Sequence, residues 1–594
     1  MDRAKRIPES GVEFLSGNEA VARGAWEYGV HFASAYPGTP STEILEAIGE
    51  SYPEIGSQWA PNEKVALETV AGASFGGARA LTAMKHVGLN VAADPLFTLS
   101  YIGATGGVVI VSADDPGMHS SQNEQDNRNI ARAAKVPMLE PADSNEAKLM
   151  VGEALEISER FDAPVMLRLT TRISHSKSLV ELGPRRAVEV KGYERNIQKR
   201  VPIPAHARKL HSRVEKRMLE LEEYGDGSPF NRIEKGDPSL GIVTSGISYQ
   251  YVKEVLPSAS VLKLGMTNPL PWKLIERFIE SVEKLVVVEE GDPYLQEQIR
   301  ARFLIPVEGK ERIPIEGELE PGIVRRGLGE GDPAQTPFVR AEVPARPPAL
   351  CPGCPHRGAF YALSKIKASS TGDIGCYTLG LMPPHEALET VICMGGAVTV
   401  LNGLEKAVGR EATGKLVAAI GDSTFIHSGI TGLIDMVYNG GTGTVMIMDN
   451  GITAMTGGQQ HPATGFDLRG EPAPRVDFEQ LCRACGVKHV RTVDPHDLQE
   501  MEKALREELS REEPSVIITR RPCIMIGKPS GRAVARLDPE KCVSCRACMR
   551  VGCPAISFVD EKPEISGLLC YPDCNLCVQV CPTGALSKDM EGAR

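Results

Sequence analysis

Hydrophobic positions in the first 180 residues alternate between two periods. GNEAVARGAWE (17–27) spaces its apolar residues for a helix, and a strand then runs into Ala35-Tyr36-Pro37-Gly38-Thr39-Pro40. GGVVIVSADD (106–115) and APVMLRLTTR (163–172) are short, nearly continuous apolar runs. Between helices, such runs predict strands buried on both faces of a parallel sheet. Residues 186–237 form a charged connector, in which Ala207–Tyr224 predicts an amphipathic helix with Leu210, Val214, Met218 and Leu221 on one stripe. A small βαβαβα unit follows over 238–305, with strands in SLGIVTSG, SVLKLG and KLVVVEEG and a helix in PWKLIERFIESV. Residues 306–349 are rich in proline and glycine and predict a crossing linker. A second large α/β unit spans 350–530, and residues 531–594 make a separate tail.

Composition sharpens this picture in two respects. The chain's 594 residues exceed one core and suggest roughly three to five domains. A net charge of −11 argues against a nucleic-acid binder, whose footprint would be basic. The charged amino terminus has no apolar stretch behind it, and runs such as Gly106–Ala113 are far too short to span a bilayer. A cytoplasmic protein without membrane or nucleic-acid partners is expected.

Eight of the 15 cysteines fall between Cys542 and Cys581. In a large chain without a secretion signal, such clustering predicts metal rather than disulfides. The first group is Cys542-x₂-Cys545-x₂-Cys548-x₄-Cys553-Pro, and the second is Cys570-x₃-Cys574-x₂-Cys577-x₃-Cys581-Pro. Two-residue gaps let three thiolates wrap one face of a cuboidal cluster, and the fourth cysteine crosses to the other. Cys542, Cys545, Cys548 and Cys581 are therefore assigned to one [4Fe–4S] cluster, and Cys570, Cys574, Cys577 and Cys553 to a second. Each group departs by one residue from ferredoxin spacing. The alternative, two zinc sites, fits the doubled triplet and the Cys-Pro endings poorly.

In the second α/β unit, KLVAAIGDSTF (415–425) is an apolar strand ending in Gly421-Asp422-Ser423, and after 26 intervening residues Asn450 stands at the end of TVMIMDNG. Adjacent parallel strands deliver oxygen ligands at their carboxyl ends. Mg²⁺ takes few carboxylates plus phosphate oxygens. The pattern resembles the thiamine diphosphate motif, with Asp422, the Asn450 side chain and the Ile452 carbonyl as the protein's Mg²⁺ ligands. Ser423 departs from the motif's glycine.

Further segments carry a wider resemblance. Leu350-Cys351-Pro352-Gly353-Cys354-Pro355-His356-Arg357, Gly372-Asp373-Ile374-Gly375-Cys376, Met455-Thr456-Gly457-Gly458-Gln459, Tyr36-Pro37-Gly38-Thr39-Pro40-Ser41 and the run Ala113–Asp126 resemble the 2-oxoacid:ferredoxin oxidoreductases along nearly the whole chain. The tail's irregular first cysteine group resembles the indolepyruvate branch of that family.

The resemblance implies an α/β chain with two thiamine-diphosphate-binding parallel-sheet domains. These would be a pyrimidine domain at 1–185 and a diphosphate domain at 350–530. A transketolase C-terminal-like domain at 238–305 and a bacterial-type ferredoxin domain at 531–594 complete the set. It implies Glu63 as the glutamate that protonates the aminopyrimidine, with Glu68 as competitor, and Thr39 as a contact to the substrate carboxylate. Gln125 and Arg128 are weaker substrate-site candidates. His86, His119, His356 and His427 are read as structural.

Cys351, Cys354, Cys376 and Cys523 match positions that hold a third cluster in related enzymes; four buried thiols are the alternative. Cys482-x₂-Cys485 is a rival source of the fourth ligand. The implied activity is CoA-dependent oxidative decarboxylation of aryl pyruvates, indolepyruvate first, with electrons passed to an external ferredoxin. A separate beta subunit in a heterotetramer is expected. Pyruvate chemistry and a purely electron-carrying subunit are the alternatives.

Overall fold

The computed structural model describes residues 8, 10–331, 347–526 and 533–588. Most of the predicted 306–349 linker's second half, the 531–532 start of the tail and the chain's last six residues lie outside them. The chain divides into two compact units, Met1–Arg340 and Ala341–Arg594.

The first unit is built on a seven-stranded sheet. Its order is Met266–Asn268, Met138–Leu139, Val165–Thr170, Val108–Asp114, Ala80–Lys85, Phe32–Ala35, Gly56–Trp59. All pairings are parallel except the first, where Met266–Asn268 runs antiparallel to Met138–Leu139. Every residue of Val108–Asp114 and Val165–Thr170 is buried, as strands covered by helices on both faces must be. The helix Gly17–Glu27 starts on a capping box in which the Ser16 hydroxyl accepts from Glu19 N and the Glu19 carboxylate accepts from Ser16 N.

A four-stranded sheet follows in the order Leu285–Val288, Asp237–Ser245, Ala259–Leu264, Arg232–Glu234. The connector's helix extends over Pro204–Asp226, with Leu210, Val214 and Leu221 buried and Met218 only half-buried. The first part of the expected linker, 306–331, instead folds onto this sheet. Pro321–Leu328 is a helix, and Ile313, Leu319 and Val324 enter the core beside Tyr251 and Val252.

A buried ionic network lies within this unit. Arg128 pairs with Asp126 and Glu289, and Arg168 pairs with Asp114 and Glu140. Glu290, whose carboxylate accepts from Leu319 N at 2.9 Å, is pushed up to about 7 by its burial.

The second unit carries a parallel sheet in the order Ser369–Thr371, Leu416–Gly421, Thr444–Met448, Ser515–Thr519, His489–Val493. Its carboxyl ends deliver Asp373, Asp422, Asn450 and Cys523 into the loops that follow. The tail adds two antiparallel pairs, Ala535–Leu537 with Leu586–Lys588 and Ile556–Val559 with Lys562–Ile565. It packs on the sheet domain through Leu576 and Val551 against Leu498. Among the described residues, no helix is long and apolar enough to cross a membrane.

Candidate active site

In the second unit, the strand Leu416–Gly421 hands Asp422 into a buried corner. Its carboxylate accepts backbone N–H bonds from Ser423 and Gly451, both at 2.8 Å. His461 Nε2 lies 3.3 Å away, poorly aligned for a hydrogen bond. Burial opposes ionisation of Asp422, but His461 and the two N–H donors outweigh it and hold the pKa below the ordinary range. Asp449 moves the other way, raised by burial and by the Asp422 carboxylate beside it. Asn450 accepts from Ile452 N at 3.1 Å and meets the His356 ring at 3.3 Å. Burial pushes His356 down to about 4, so its imidazole is neutral.

The motif's departure at Ser423 has a structural use. Its hydroxyl accepts from Thr453 Oγ1 at 3.0 Å and ties the Asp422 turn to the loop carrying Asn450 and Ile452. A π-turn, Phe425–Gly429, follows at once, a local irregularity common at functional sites. Asp373, which sequence reasoning missed, accepts N–H bonds from Ile374, Gly395 and Ala397 and so fixes the start of the helix Gly396–Val408. His461 was missed as well; it has no local signal beyond following the Met455–Gln459 run.

Cys351, Cys354, Cys376 and Cys523 come together here from three places in the sequence. The thiols of Cys354, Cys376 and Cys523 each sense that of Cys351, and Cys376 also senses Cys523. Cys523 additionally senses Asp422, and its N–H donates to Asn450 O at 2.9 Å. Burial pushes Cys354 up to about 12 and Cys376 up to about 11. Cys482 instead faces Cys485 and Asp477, apart from this group.

The tail divides its eight cysteines between two cavities. Cys542, Cys545, Cys548 and Cys581 line one. Cys553, Cys570, Cys574 and Cys577 line another, together with Gly353, Arg357 and Tyr571. Gly353 has φ +76°, and a Cβ there would meet the Tyr571 side chain at 2.5 Å, so only glycine allows this approach. Among the described residues, no three His, Cys, Asp or Glu side chains close tightly around one point. The cysteines surround spaces suited in donor chemistry to a polynuclear cluster.

In the first unit, Asn62 caps the helix Glu63–Phe75 by accepting from Val65 N at 2.9 Å. Glu63 is buried on the first turn, with its carboxyl group against Gly88. Glu68, the competing glutamate, is exposed and paired with Lys64. Thr39 is half-buried in the turn after Phe32–Ala35, and its carbonyl accepts from Ser120 Oγ at 3.5 Å. Lys85, which sequence reasoning missed although it closes the strand Ala80–Lys85, donates to Ser120 O at 2.6 Å and is pushed down to about 8 by burial. Gln125 bonds to Asn90, Asn127 and His86 O and lines an adjoining cleft with Met118 and Asp292. Arg128 has its guanidinium bonded into the buried ionic network and lines a small cavity with Arg168 and Ser245.

Residues 23–219 match the family model described as pyruvate flavodoxin/ferredoxin oxidoreductase, thiamine diP-bdg, and 373–519 match the thiamine pyrophosphate enzyme C-terminal TPP binding domain. The chain is 42% identical to indolepyruvate oxidoreductase subunit IorA of Archaeoglobus fulgidus, covering 96% of this chain and 97% of that one. The chain belongs to the indolepyruvate oxidoreductase IorA family. The IorA of Methanothermobacter marburgensis is likewise 42% identical and that of Pyrococcus horikoshii 41%, each over 97% of both chains. This IorA-family chain is thus a thiamine-dependent 2-oxoacid:ferredoxin oxidoreductase subunit, and the corner around Asp422 lies inside its matched TPP domain.

Proposed function

We propose that the chain is the alpha subunit of an enzyme that oxidatively decarboxylates aryl pyruvates, indolepyruvate first. With coenzyme A the products are the aryl-acetyl-CoA, CO₂ and two equivalents of reduced external ferredoxin. The observation that carries this reading is the gathering of Cys351, Cys354, Cys376 and Cys523 beside Asp422 and Asn450. A decarboxylase that released an aldehyde would have no use for four thiols there, nor for two further four-cysteine cavities in the tail.

Thiamine diphosphate supplies the carbanion stabilisation, and iron–sulfur clusters carry single electrons. The residues present suit these groups. Asp422, kept ionised by two N–H donors, with the Asn450 side chain and the Ile452 carbonyl, would hold Mg²⁺; Gly421 and Ser423 would flank the diphosphate. Glu63, buried on a capped helix start, would hold the proton shared with the aminopyrimidine. Thr39 would contact the substrate carboxylate. The two tail sets would each hold a [4Fe–4S] cluster, and the Cys351 set a third. A separate beta subunit completes a cytoplasmic heterotetramer.

The test is ferredoxin reduction by the purified complex across a panel of oxoacids, with and without coenzyme A. CoA-dependent reduction fastest with indolepyruvate is expected. Faster turnover of pyruvate would replace the substrate assignment, and a complex without bound thiamine would overturn the catalytic one.

A further inference from the structure

Arg357 is a buried cation that the mechanism above does not use. It lies on the helix Pro355–Lys365, is 2% exposed, and reaches into the space between two cysteine sets. One terminal nitrogen donates to Val551 O at 3.0 Å and to Gly552 O, and the other to Cys351 O at 3.1 Å and Leu350 O. Its Nε has no partner among the described residues. Among the ionisable groups that act on it are cysteines from both sets, Cys553 and Cys574 on one side and Cys354 and Cys351 on the other, and its own charge helps burial keep the neighbouring His385 ring neutral. It also lines the Cys553 cavity, whereas the Cys542 cavity is lined by no part of it.

Carbonyl oxygens satisfy hydrogen bonds but carry no net charge. A guanidinium taken out of water costs several kcal/mol unless an anion compensates it. Here carbonyls provide the bonds, and among the described residues the negative charge acting on it is what the two cysteine sets acquire when their thiols are deprotonated by ligation. A fixed positive charge favours the reduced, more negative state of a neighbouring cluster, and does so more strongly where water is excluded.

We propose that Arg357 is a positioning residue for electron transfer: a shared countercharge that raises the reduction potentials of the clusters held by the Cys351 and Cys553 sets and leaves that of the Cys542 set unchanged. This rests on the three-cluster reading above. Two clusters tuned by one charge move together, which keeps the step between them small whatever their absolute potentials. The asymmetry with the Cys542 set makes the idea testable within one molecule.

The experiment is an EPR-monitored reductive titration of the intact complex, comparing the unaltered protein with Arg357→Gln and Arg357→Lys. In Arg357→Gln, two of the three reduction waves should shift at least tenfold toward the oxidised form, about 59 mV for one electron, while the third stays in place. Arg357→Lys should restore both. Three unmoved waves, three waves moving together, or Lys behaving like Gln would overturn the proposal. If Arg357→Gln loses iron, the Lys variant decides: full iron with unaltered waves supports the countercharge, and iron loss there too assigns Arg357 to shape alone. An unaltered complex lacking about 12 iron atoms per chain would instead sink the three-cluster reading, so the two failures are distinguishable.

Discussion

Adding one carbon at Gly88 tests the role assigned to Glu63 without touching that residue. A Cβ at Gly88 would lie 2.6 Å from Glu63 Oε1, 2.8 Å from Cγ and 2.9 Å from Cδ. Ordinary contacts between such atoms are about 3.5–4.0 Å, so the carboxyl group must retreat by about 1 Å. A displacement of that size at a reacting group costs about 10²-fold in rate. Stability should change far less. Alanine gains about 1 kcal/mol in helix propensity over glycine, and overpacking costs about 1–3 kcal/mol, leaving a net loss of at most about 2 kcal/mol. The assay is CoA-dependent ferredoxin reduction by the complex at saturating oxoacid, with thermal unfolding alongside. Gly88→Ala should lose about 10²-fold in kcat, Glu63→Gln about 10²–10⁴-fold, and the double variant no more than Glu63→Gln alone. A folded Gly88→Ala enzyme at full rate would refute the reasoning, as would a full further loss in the Glu63→Gln background.

Cys523→Ser should lower the iron content from about 12 to about eight atoms per chain, measured on the purified complex, while the tail's sets stay filled. Glu290→Gln should be pH-dependent in its effect: the folded-state pKa near 7 exceeds the ordinary 4.5, so native Glu290 weakens folding progressively as pH rises between those values. The glutamine variant should therefore match the unaltered chain below pH 4.5 and gain about 3 kcal/mol above pH 7, read from urea unfolding at several pH values. Gly353→Ala should cost about 2–4 kcal/mol, from strain at φ +76° and the clash with Tyr571, seen as earlier thermal loss of visible absorbance from the tail.

The long strands were legible because continuous apolar runs have few alternatives to a doubly covered sheet. GGVVIVSADD and APVMLRLTTR became Val108–Asp114 and Val165–Thr170. The helix Pro321–Leu328 was hidden by its own composition: two glycines and a proline mask the buried Val324, although proline is favoured on a first helical turn. Three-residue strands such as Arg232–Glu234 and Met266–Asn268 carry too few positions to show a period, and tertiary pairing creates them. In the candidate site, spacing alone grouped the tail cysteines into the sets that now line separate cavities. No spacing rule links Cys351, Cys376 and Cys523, and only the family resemblance brought them together. Lys85 and His461 were invisible because a lone polar side chain looks the same whether it faces water or a buried corner, and Asp373, though inside a quoted segment, gave no sign of the three N–H groups it would bind.

The antiparallel edge strand Met266–Asn268 has a consequence for how the chain is made. The sheet to which Phe32–Ala35 belongs is completed by residues synthesised more than two hundred positions later. At about 5–20 residues per second, a ribosome needs at least about ten seconds to supply them. Met138–Leu139 emerges roughly 127 positions before Met266, so for at least about six seconds at that rate it waits with one hydrogen-bonding edge bare, a template for pairing with another nascent chain. Its length of two residues keeps that template too short to seed a stable mispairing.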